Sequence, residues 1–152
     1  MNIYSKIIAV AVVTLGLTTA AYAANNLATS SITQSQLRAL SANKNLSILF
    51  AQTAPSATIT PQQEKSWYTI TLHKVNSDVL WFSDRPQRLA GDMTVGEFVK
   101  YWYRPGDKQN FVQDHPNANL AGLAENNVKI HAAFMLTKPV YDEGQQTLTY
   151  RA

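Results

Sequence analysis

A mainly β domain is the fold class this sequence predicts: an antiparallel β-sandwich or partly closed barrel with one short amphipathic helix packed on it. Three observations lead there. Residues 67–75 (WYTITLHKV) alternate, with Tyr68, Ile70 and Leu72 on one face and Thr69, Thr71 and His73 on the other, the period of a sheet with one buried face. From Leu46 onward, turn-forming residues return roughly every ten positions. A single stretch, opening at Thr94 and running to about Tyr103, has the helical period, with Val95, Phe98, Val99 and Trp102 at i, i+3, i+4 and i+7.

The N-terminus sets the compartment. Residues 1–6 are polar with one positive charge, residues 7–17 (IIAVAVVTLGL) are apolar, and residues 18–23 are small and end Ala21-Tyr22-Ala23, the A-x-A cleavage pattern. The apolar run is shorter than the ~20 residues that a membrane-crossing helix needs. Residues 1–23 are therefore expected to be a cleaved secretory signal peptide, with no membrane span after cleavage and a periplasmic or secreted destination in bacteria. Cysteine is absent, so this chain has no lipidated cysteine, disulfide, thiol nucleophile, Cys-ligated zinc or iron–sulfur cluster, and its fold must rest on hydrophobic burial. Basic residues outnumber acidic ones 13 to 10, for a net charge of +3, but Lys and Arg are scattered. No nucleic-acid partner is expected.

Residues 24–45 read as a polar N-terminal arm, with a weak helical pattern over residues 31–42. Residues 46–152 form a single β-rich domain. Residues 46–50 and 57–60 are short strands, ended by Pro55 and Pro61. Residues 79–82 (VLWF) form an apolar strand, expected to pair with residues 67–75 as a hairpin across Asn76-Ser77-Asp78. Thr94-Val95-Gly96-Glu97 is a capping box that opens the helix, and Pro105-Gly106 stops it. Residues 119–123 and 128–137 are strands, the second ended by Pro139. Residues 147–151 make a last strand, placed at a sheet edge or truncated relative to a longer ancestor.

Two polar loops carry the candidate chemistry. In Ser83-Asp84-Arg85-Pro86-Gln87-Arg88, two guanidinium groups beside a carboxylate, beyond a buried strand, could receive an anionic ligand; equally, Asp84 could cap the turn and pair with Arg85 or Arg88. Ser83 lacks the Gly-x-Ser-x-Gly setting of a nucleophile. In Asp114-His115-Pro116-Asn117, oxygen and nitrogen donors gather at a spacing that matches no metal motif, so no metal and no cofactor is expected. Of the three histidines, His73 and His131 fall on strands, and only His115 has an adjacent carboxylate. Trp81, Phe82, Phe98 and Trp102 are expected in the core, and Tyr101 and Tyr103 at the surface.

Residues 68–102 and 111–120 carry Phe82-Ser83-Asp84-Arg85-Pro86-x-Arg88, then Phe98 and Trp102, then Pro116-Asn117-Ala118. This pattern resembles a family of small secreted bacterial proteins with a Phe-Ser-Asp-Arg-Pro-x-Arg loop and a downstream Pro-Asn-Ala. The resemblance covers residues 46–152. It implies an exported single domain and brings no activity with it.

The function expected from these features is an exported, non-enzymatic binding protein. Its partner is an unidentified protein or envelope component, held by Ser83, Asp84, Arg85, Arg88, Asp114, His115 and Asn117. The alternatives are a secreted hydrolase using Asp84, Asp114 and His115, and a structural envelope protein without a small ligand.

Overall fold

The computed structural model describes residues 5–11, 48–62, 66–83, 89–104 and 110–152. The arm with its expected helix, and Asp84, Arg85, Pro86, Gln87 and Arg88, lie outside the described residues. Among the described residues, eleven strands and one helix follow in chain order: β1 (Ser5–Ala11), β2 (Ile48–Ala51), β3 (Thr53–Ala54), β4 (Ser56–Pro61), β5 (Tyr68–His73), β6 (Asp78–Ser83), β7 (Ala90–Thr94), α1 (Val95–Tyr103), β8 (Asn117–Ala124), β9 (Lys129–Met135), β10 (Thr137–Asp142) and β11 (Thr147–Arg151). The larger sheet has eight strands, in the order β10–β11–β5–β4–β1–β8–β9 with β3 also paired to β1; the smaller has three, β2–β6–β7. Every pairing is antiparallel. Among the described residues β10 and β9 do not pair, so the large sheet stays open and the architecture is two sheets with one helix rather than a closed barrel.

β5 shows the expected alternation over Ile70 and Leu72, which are buried, whereas Tyr68 at its start is exposed and not on the buried face as expected. Its neighbours β4 and β11 set Ala57 and Leu148 beside Leu72, and Ile59 and Tyr150 beside Ile70, which makes one continuous core face. The expected hairpin between β5 and β6 does not form. Lys74 turns left-handed (φ 54°), the Val75 amide bonds to Gln146 and the Asn76 amide to Thr53, and the chain passes from the large sheet to the small one. β6 then pairs with β2 and β7. It is also not the fully buried strand expected from its apolar run. Val79, Trp81 and Ser83 point inward, whereas Leu80 and Phe82 are exposed, so Phe82 is not a core residue.

The helix starts as its capping box dictates. Thr94 Oγ1 accepts from the Glu97 amide at 3.2 Å, and Glu97 Oε2 accepts from the Thr94 amide at 2.9 Å. Its buried face is Val95, Phe98, Tyr101 and Trp102, while Val99 is only partly covered. Tyr101, expected at the surface, is 3% exposed. The 100° step per residue brings it within reach of Phe50 and Phe111, and the Arg104 guanidinium lies 3.9 Å above its ring. Tyr103 is exposed as expected, and its hydroxyl donates to the Pro139 carbonyl at 3.1 Å, tying helix to sheet.

The C-terminal strand β11 is internal, between β10 and β5, and not at an edge. Among the described residues the strand order ends in β9 on one side and on the other in β10, a strand that Pro139 seemed to forbid. Proline is tolerated there because an edge strand leaves one row of amides unpaired, and the register shifts between Thr137 and Val140.

The small sheet is keyed by Trp81 over Gly91, its cross-strand partner. A Cβ at Gly91 would stand 2.6 Å from Trp81 Cζ2, and Trp81 is fully buried. Gly91→Ala must push the indole aside and is expected to cost about 1–3 kcal/mol, as overpacking does. An unchanged urea midpoint would show that the ring does not lie there.

Candidate functional site

The chain crosses from β2 in the small sheet to β3 in the large one through Gln52. This brings an amide side chain into the interior at 8% exposure. The Tyr150 hydroxyl, on β11, donates to Gln52 Oε1 at 2.7 Å. Among the described residues Gln52 Nε2 is buried and has no hydrogen-bond partner. Buried polar atoms are almost always paired, and leaving one unpaired is costly. Burial pushes the Tyr150 phenol above its ordinary pKa, with the bond to Gln52 pulling it down more weakly. Tyr150 therefore stays a neutral donor at any physiological pH.

Gln52 and Tyr150 line a cavity of about 470 Å³, a size suited to a small-molecule site. One wall is β2, with Ile48, Leu49 and Phe50. The second is Phe98 and Trp102 of α1 with Phe111. The third is the β8–β9 pair, with Pro116 to Asn119, Ala133 and Leu136. Aromatic edges set the second wall: Phe98 to Trp102 at 5.8 Å, Trp102 to Phe111 at 5.0 Å and Trp102 to Tyr150 at 5.9 Å between ring centroids. The lining is apolar apart from Gln52, the Tyr150 hydroxyl, Asn117 and Asn119.

Trp102 and Phe111 also face a second cavity of about 530 Å³. Its rim is more polar, with His115, Lys138 and Arg151, and the Arg151 guanidinium lies 4.5 Å from the centroid of the Trp67 ring. The two aromatic side chains thus form a partition between an apolar chamber and a partly cationic one.

The sequence-predicted site residues do not converge. Ser83 is buried, and its hydroxyl accepts from the Leu89 amide at 2.7 Å while its own amide donates to the Leu89 carbonyl at 2.8 Å. These bonds join Ser83 to Leu89, the described residues on either side of Asp84, Arg85 and Arg88, which lie outside the described residues. Asp114 is exposed in a turn organised by Asn110, whose Oδ1 accepts from the Val112 and Gln113 amides. His115 is half-buried on the second cavity, and Asn117 stands at the mouth of the first. Among the described residues no group of three or more His, Asp or Glu could hold a metal ion. His73 is engaged in the sheet through Thr58 Oγ1 at 2.8 Å, and His131 is exposed on β9.

Gln52 and Tyr150 escaped the sequence reading. The available signal was a lone amide inside the apolar run Leu49-Phe50-Ala51-Gln52, which a strand buries only with a partner. That partner lies 98 residues away. Comparisons with protein-family models, curated proteins and solved structures return no match.

Tyr150→Phe strands both amide groups of Gln52 and is expected to cost about 1–3 kcal/mol. The pH dependence fixes the assignment. A phenol whose folded pKa exceeds its unfolded one stabilises fully below pH ~10. That stability is lost as the pH rises beyond this, toward the folded pKa. The wild type should lose stability from about pH 10 upward, and Tyr150→Phe should flatten that decline in urea titrations; an equally steep decline in the variant would refute the assignment.

Proposed function

We propose that this is an exported, non-enzymatic binding protein, periplasmic or secreted, whose ligand seat is the apolar cavity between β2, α1 and the β8–β9 pair. The observation that carries this reading is a chamber walled by aromatic and aliphatic side chains with one buried polar pair, Gln52–Tyr150, at its inner side. Such a seat favours an apolar or aromatic ligand with one acceptor, such as a carbonyl, for the amide of Gln52. Desolvation of the rings supplies affinity, and the amide orients the ligand. Export is supported by the leader pattern of residues 1–23.

The hydrolase alternative has less support. Ser83 is committed to loop closure, Asp114 faces solvent, and His115 opens onto the chamber on the far side of Trp102. No described carboxylate and imidazole are brought together as an acid–base pair would require.

The test is binding of 1-anilinonaphthalene-8-sulfonate, followed by its fluorescence. Ala133 lines the cavity and is otherwise exposed, so Ala133→Trp should fill the space without disturbing the core. The variant should bind the dye at least about tenfold more weakly, a change of ~1.4 kcal/mol, with an unchanged melting temperature. Undiminished affinity would place binding elsewhere. N-terminal sequencing of the exported protein should begin at Ala24, and a start at Met1 would contradict the leader assignment.

A further inference from the structure

The strand β1 occupies an unusual position. It lies inside the large sheet, paired on one side with β4 (Ser5 with Ile59, Lys6 with Thr58, Ile7 with Ala57) and β3 (Val10 with Ala54), and on the other with β8 (Ile7 with Ala124, Ala9 with Leu123, Val10 with Gly122). Yet Ser5–Ala11 belongs to the segment whose sequence is that of a cleaved leader. Once residues 1–23 are removed, β4 and β8 face each other across a gap one strand wide, two inter-strand spacings or about 9–10 Å. Both edges then present unpaired amides and carbonyls.

We propose that this gap is a strand-accepting site: in the mature protein it binds an extended apolar segment of an exported partner polypeptide, which replaces β1 in the ladder. The inference rests on the export reading above. The structure shows how such a segment would be held. It runs antiparallel to β4 and β3 on one side and to β8 on the other, with a register shift against β8 between Ile7 and Ala9, so main-chain hydrogen bonds are available along both flanks. The flanking positions are Ile59, Thr58 and Ala57 on β4 and Ala124, Leu123 and Gly122 on β8. β4 and β8 are parallel to one another, each being antiparallel to β1, so the site is not a hairpin awaiting closure. The ligand class follows from the occupant the site already accommodates: about seven residues, as in Ser5–Ala11, apolar and free of proline, since a proline lacks the ladder amide.

The experiment uses the mature chain, residues 24–152, with a fluorescein-labelled synthetic peptide of Ser5–Ala11 flanked by lysines for solubility. Saturable binding by anisotropy is expected, together with slowed hydrogen exchange of the β4 and β8 amides on peptide addition. Replacing Ala9 of the peptide by proline should weaken binding at least tenfold. Slow exchange of β4 and β8 before any peptide is added would show that the mature chain closes the gap itself, and would overturn the proposal. So would binding that the proline does not weaken. The export reading is checked separately by the N-terminal residue of the exported protein: a Met1 start removes the premise whatever the peptide does, whereas an Ala24 start with no binding overturns the strand site alone.

Discussion

The cluster of rings around Trp102 is what the rest of the molecule depends on. With no cysteine in the chain, a small helix and two sheets of different size must be joined without covalent links, by packing and a few hydrogen bonds. Trp102 is 2% exposed and touches Phe98 within its own helix, Phe111 in the turn beyond it and Tyr150 on β11. Phe50 on β2 closes the ring against Phe98, Tyr101 and Phe111. Strand β2, helix α1, the turn at Phe111 and strand β11 thus meet through edge-on and tilted ring contacts. Each such pair contributes about 0.5–1.5 kcal/mol beyond simple burial, and all but Phe50–Phe111 involve the helix.

The same cluster explains what sequence reasoning recovers and what it misses. Local signals are reliable where one interaction decides. The period of β5 and the Thr94–Glu97 cap are examples, since each is settled within a few residues. β6 shows the failure of an apolar run as a signal: Leu80 and Phe82 are as hydrophobic as Val79 and Trp81, yet only one parity faces the core. The turn at residues 74–77 looks like hairpin chemistry, but its amides bond to Gln146 and Thr53, partners that no local window contains. Tyr101 is buried because Phe50 and Phe111 reach it from outside the helix, widening the buried face past the i, i+3, i+4 stripe. The Gln52–Tyr150 pair is the extreme case, a functional candidate made only by tertiary folding. Of the seven predicted site residues, Asn117 lines the cavity and His115 lines the second one, on the other side of Trp102 and Phe111.

The cavity and the gap filled by β1 share a structural part. The β8–β9 pair forms one wall of the chamber, through Pro116 to Asn119, Ala133 and Leu136, and joins the rest of the large sheet through β1. It also touches β5: Phe134 meets Tyr68 with ring centroids 6.4 Å apart, while the Leu136 amide donates to the Pro116 carbonyl and closes the end of the ribbon itself. Leu120 is buried against the common core. The two proposed sites therefore share the same two-stranded ribbon.

The outermost strand, β10, has a consequence of its own. Its Pro139 offers no amide, Lys138 takes a left-handed turn (φ 50°), and the pairing with β11 skips between Thr137 and Val140. Such a border does not template another sheet, since the row of donors a newcomer would need is broken and kinked. Stacking of copies into fibrils is thereby disfavoured along this flank, a safeguard that matters for a thiol-free chain whose stability rests on burial alone.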